Sequence, residues 1–70
     1  MRHDDRPRIY EIRLGARLDP HWASRFEGMT LSEEEGRTVL TGTLRDQAAL
    51  HGLLRRIADL GLPLLAVLSD

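Results

Sequence analysis

The strongest constraint on this chain is a helix signal near its end. Leu50, Leu53, Leu54, Ile57 and Leu60 recur at helical spacing around Arg55, Arg56 and Asp59, so one stripe of the segment is apolar and needs a surface to cover. Asp46 stands where an N-cap is required, and Gly61 where the chain must turn left-handed after the last turn. Leu62 can then touch Ile57, and Pro63 prevents the helix from continuing. Most of the stability of such a helix comes from packing its apolar face, so the other residues must supply a partner.

Those residues read mainly as strands. Over residues 9–18, Tyr10, Ile12, Leu14, Ala16 and Leu18 fall on one face while Glu11, Arg13 and Arg17 fall on the other, the pattern of a half-buried strand. Asp19-Pro20 then opens a second, short helix in which Trp22 and Phe26 share a face, and Gly28 ends it after roughly two turns. Met29 and Leu31 alternate with Thr30 and Ser32, Glu33-Glu34-Glu35-Gly36 makes a polar turn, and residues 38–44 complete a hairpin. In that strand Leu40 and Leu44 point one way around Gly42, and Val39, Thr41 and Thr43 point the other. Residues 64–68 form an apolar run too short for a stable helix and read as a strand. Strict alternation there puts Leu65 and Val67 on one face and Leu64, Ala66 and Leu68 on the other.

The order β-α-β-β-α-β is that of an α+β, ferredoxin-like two-layer sandwich: a four-stranded antiparallel sheet with two helices on one face. Residues 8–70 are expected to form this single domain. Residues 1–7 mix Arg2, Asp4, Asp5 and Arg6 with one proline and read as a flexible tail, neither signal peptide nor anchor. A domain of this size buries only about 60% of its unfolded surface, so help from a partner is expected. With no cysteine in the chain, disulfides and thiolate metal sites cannot provide that help.

The residues Tyr10-Glu11-Ile12-Arg13, Leu18-Asp19 with Trp22 and Phe26-Glu27-Gly28, and Thr38-Val39-Leu40-Thr41-Gly42 carry a resemblance. It continues through Asp46-Gln47-Ala48-Ala49-Leu50-His51-Gly52-Leu53-Leu54 and Asp59-Leu60-Gly61-Leu62-Pro63-Leu64-Leu65. In these stretches the chain resembles a group of small bacterial proteins, mostly labelled hypothetical and frequent in actinobacteria. The resemblance implies the domain limits and no functional residue.

The sequence offers little chemistry. His3, His21 and His51 have no second ligand at helical spacing, so no metal or other cofactor is expected. Asp19, His21 and Ser24 are the residue types of a hydrolytic triad, but Asp19 is better used as a cap and no oxyanion loop accompanies them. Glu33-Glu34-Glu35 and Arg55-Arg56 read as solvated polar surface. A ferredoxin-like sheet binds RNA through aromatics on its central strands, yet residues 37–44 contain none, and Tyr10, Trp22 and Phe26 are expected in the core. All ten basic residues are Arg, scattered among 11 acidic ones for a net charge of −1, which gives no field for a phosphate backbone. Gly52, inside the long helix, marks a place where the sheet or another subunit is expected to approach the backbone closely.

No catalytic residue is therefore expected, and no nucleic-acid or membrane partner. The expected function is that of a small, cytoplasmic, non-enzymatic interaction module that self-associates as a homodimer. Its surface comprises Val39, Thr41, Leu64, Leu65, Val67 and Leu68, because two helices on one face leave the other bare and the last strand is an unblocked edge. The alternative is a small-molecule-binding regulatory domain of the ACT type, which shares the expected topology.

Overall fold

The computed structural model describes residues 6–69, so most of the tail expected over residues 1–7 lies outside the described residues. Strand β1 is Arg8–Leu14, β2 is Thr30–Glu34, β3 is Arg37–Leu44 and β4 is Leu64–Ser69; helix α1 is Gln47–Asp59. The strands form one antiparallel sheet in the order β2-β3-β1-β4. The fold is α+β with a four-stranded antiparallel sheet and one main helix.

Helix α1 follows the sequence signals closely. The Asp46 carboxylate accepts from the Ala49 amide at 2.9 Å, and the Leu62 and Gly61 amides donate to the carbonyls of Ile57 and Ala58 at 3.2 and 3.0 Å. Gly61, at φ 74°, supplies the left-handed residue this closure needs. Its buried Leu50, Leu53 and Ile57 pack with Tyr10, Ile12, Leu14 and Leu40 of the central strands.

The other expected helix is much reduced. Residues Pro20–Arg25 form a 3-10 helix, capped by the Asp19 carboxylate through the His21 amide. Six residues are too few to repay the cost of an α-helical nucleus, and the tighter turn suits so short a connection. Trp22 is consequently only half-buried, stacked beside the Arg25 guanidinium at 5.5 Å. Phe26, just past the helix, is the aromatic that fills the core.

Strand β1 also ends earlier than its alternating pattern, at Leu14 and not at residue 18. Its pairing partner runs out there: Leu14 opposes Thr38, one residue from the beginning of β3. Residues 15–18 leave the ladder and are tied by other bonds. The Gly15 amide donates to the Pro63 carbonyl, the Thr38 amide to the Ala16 carbonyl, and the Leu18 amide to the Thr38 hydroxyl at 2.8 Å.

The turn between β2 and β3 is tighter than the four-residue stretch expected for it. Glu33 and Glu34 belong to β2, and only Glu35 and Gly36, both at positive φ (53° and 77°), make the connection. Two such residues between antiparallel strands are the mark of a type I′ turn, whose twist matches the sheet.

Candidate functional site

Partnered residues on neighbouring strands share a face, so the register sorts every strand residue. Tyr10, Ile12 and Leu14 of β1 lie on the helix side with Gly42, Leu40 and Thr38 of β3. Ile9, Glu11 and Arg13 lie on the open side with Thr43, Thr41 and Val39.

On β4 the expected alternation fails, because the register shifts between Arg13 and Leu14. Leu14 opposes Leu64 while Arg13 opposes Ala66, which leaves Leu65 as the extra residue of a β-bulge. Leu64 and Val67 therefore fall on the helix side, opposite Leu14 and Ile12. Ala66 and Leu68 fall on the open side, opposite Arg13 and Glu11. Leu65 joins them there: it lines a cavity of about 30 Å³ with Val39, Arg13 and Glu34. The expectation that Leu65 and Val67 share a face, against Leu64 and Leu68, is corrected by this single inserted residue.

The open side is less bare than the sequence suggests. Arg13 Nε donates to Glu11 Oε2 at 2.6 Å, and its Nη1 meets Glu34 Oε1 at 3.0 Å. The bond to Glu11, and then the charges of Glu11 and Glu34, raise the Arg13 pKa above its ordinary value. This charged ridge lies beside Val39, which is only 6% exposed although no helix covers it. Of the expected association surface, Val39 is thus buried within its own chain and Thr41 is half-buried.

Leu64, Leu65, Val67 and Leu68 are different. They are 46%, 52%, 37% and 50% exposed, and with Ile9 at 50% they are the large apolar side chains most open to solvent among the described residues. The structure brings these five to one flank of the molecule, since Ile9 belongs to the strand beside β4. Sequence reasoning missed Ile9, although its place one residue before Tyr10 on an alternating strand put it on the polar face.

The remaining candidates separate. His21 Nδ1 lies 2.9 Å from Asp19 Oδ1, but the Ser24 hydroxyl donates to the His21 backbone carbonyl and not to the ring. No proton path from Ser24 to His21 exists in that arrangement. His51, on α1, is exposed. Arg56 donates to the Arg25 carbonyl at 2.9 Å, which joins α1 to the end of the 3-10 helix. Gly52 is corrected as well: a Cβ built there would meet nothing within 4 Å. The close approach belongs to Gly42, whose Cβ would lie 2.6 Å from both the Gly28 carbonyl oxygen and the Met29 sulfur.

One larger concavity, of about 580 Å³, runs between the 3-10 helix and β2, lined by Leu18, Pro20, Ala23 and Leu31. Its charged walls are Arg17, Asp19 and Glu33; Arg17 and Glu33 pair at 3.3 Å, and Asp19 caps the 3-10 helix. Among the described residues no helix is long and apolar enough to cross a membrane, and no group of three or more His, Asp or Glu is placed to hold a metal ion.

These features define a small α+β domain whose apolar surface is concentrated on one edge strand. Residues 9–68 match the model of a domain of unknown function, DUF8691, and the chain belongs to that family. No curated protein and no solved structure matches it.

Proposed function

We propose that this domain is a cytoplasmic, non-enzymatic interaction module that self-associates through β4. The observation that carries the reading is the exposure of Leu64, Leu65, Val67 and Leu68 on an edge strand without a charge or proline. Edge strands of monomeric proteins are ordinarily blunted by one or the other. No residue of β4 is buried, whereas each of the other strands meets either the core or the 3-10 helix. The sheet order, with connections carrying helices between β1 and β2 and between β3 and β4, supports a ferredoxin-like reading of the fold.

Light scattering of the chain at micromolar concentration tests the proposal. A mass twice that of the 7.9 kDa chain is expected. A well-folded protein that stays monomeric across that range overturns it.

The ACT-type alternative has the 580 Å³ concavity in its favour. Against it, the one cation lining that concavity among the described residues, Arg17, is paired with Glu33, and Asp19 is engaged as the helix cap. A metabolite that raises the melting temperature, and loses that effect in Arg17→Ala, would favour the ligand reading.

A further inference from the structure

From the β4 geometry we infer how the second copy docks, an inference that rests on the self-association proposed above: two chains pair β4 to β4 antiparallel, giving one continuous eight-stranded sheet.

Three observations lead there. The first is that β4 is uncovered on both sides. Leu64 and Val67 are exposed on the helix side, and Leu65 and Leu68 on the open side. A copy packed face to face covers only one of these pairs. A strand added at the edge brings apolar neighbours to both.

The second is the charged ridge of Glu11, Arg13 and Glu34 across the open side. Two such faces brought together would desolvate three ionised groups from each copy, at a cost their pairing does not reliably return. Edge pairing leaves that ridge in water.

The third is the contrast between the two sheet edges. β2 carries Glu33 and Glu34, both exposed, and the turn beside it adds Glu35. Pairing β4 of one copy with β2 of the next would build an open filament and set β4 leucines against this acidic edge. Pairing β4 with β4 closes on itself and can set Ala66, Val67 and Leu68 of one copy against the same apolar residues of the other.

The bulge also restricts the register. In antiparallel pairing, opposed residues share a face, so a two-fold axis through the strand must fall on a residue. An axis at Ala66 would oppose Leu65 to Val67, which lie on different sides of the sheet. An axis at Val67 opposes Val67 to its own copy and Ala66 to Leu68, each pair on one side and all apolar, with Leu65 and Ser69 beyond the matched pairs; an axis at Leu68 also matches sides but sets Val67 against the polar Ser69.

Single cysteines test this, because the chain has none of its own and any bridge must join two copies. Val67→Cys and Thr41→Cys are each oxidised mildly at micromolar concentration and run without reductant, beside light scattering of the parent chain. Most of the Val67→Cys protein is expected as a covalent dimer, with Thr41→Cys at background. A Thr41 bridge without a Val67 bridge means face packing and overturns the edge mode while leaving self-association standing. A parent that scatters as a dimer while neither variant bridges overturns it equally. A monomeric parent overturns both the docking mode and the function it rests on.

Discussion

Gly42 lies so close to Gly28 that a single added carbon on Gly42 would sit 2.6 Å from the Gly28 carbonyl oxygen. Met29 closes the other side, with its sulfur also at 2.6 Å and its Cα at 3.2 Å. Because Gly42 is on the helix side of β3, this contact is how the chain leaving the 3-10 helix reaches the sheet and delivers Phe26 and Met29 to the core. Gly42→Ala must push backbone, not a flexible side-chain end. We expect it to cost about 1–3 kcal/mol. Gly52→Ala, with open space around it, is expected to stabilise by up to about 1 kcal/mol through helix propensity. Urea melts of the two variants should move in opposite directions, and a shift of Gly52→Ala to lower midpoint would reveal a contact at α1 that this structure does not contain.

Thr38 is the one buried polar residue among those described, at 1% exposure. Its hydroxyl accepts from the Leu18 amide and its own amide donates to Ala16, so it holds the segment that leaves β1. Thr38→Val keeps the shape and removes the acceptor. A loss of about 1–3 kcal/mol is expected, the cost of a poorly solvated donor left without a partner. Faster amide exchange at Leu18 should accompany it, and unchanged exchange there would show that the hydroxyl is dispensable.

The β2–β3 turn places Glu35, a residue with a Cβ and a long side chain, at φ 53°. Asn visits this conformation far more readily, and Asn-Gly is the preferred pair in type I′ turns. Glu35→Asn is expected to raise stability by about 0.5–1 kcal/mol, read as a higher urea midpoint with the slope unchanged. A lower midpoint would mean that the Glu35 carboxylate makes a stabilising interaction that outweighs the turn.

Elements whose signals are local were legible in the sequence. Asp46, the apolar spacing of α1, Gly61 and Pro63 act within one stretch of chain, and that helix stands where its residues place it. What could not be read depends on residues far apart. The end of β1 is set by where β3 begins, since Ala16 and Leu18 continue the alternation with no partner strand to receive it. The faces of β4 are set by a bulge against Arg13 and Leu14, and apolar residues at every position of residues 64–68 carry no period to betray it. The β4 surface was legible as too apolar for its place. The burial of Val39 was not, because the residues gathered beside it, Arg13, Glu34 and Leu65, come from three other strands.

The bulge makes a sharp statement about two leucines. Strict alternation would set Leu65 and Leu68 on opposite faces, so that a lysine at one would unfold the chain and a lysine at the other would merely separate copies. With the bulge, both lie on the open side, at 52% and 50% exposure, and neither is buried. Leu65→Lys and Leu68→Lys should therefore behave alike. Each should keep its urea midpoint within about 0.5 kcal/mol of the parent under conditions where the parent is monomeric, as surface substitutions do. Each should also weaken self-association by about tenfold or more, because a charge on an edge strand opposes addition of another strand. Leu53→Ala supplies the contrast: that side chain is 8% exposed within the core, and its loss should cost about 2–5 kcal/mol of folding. If one of the two lysine variants unfolds while the other does not, β4 alternates without interruption and the bulge assignment fails.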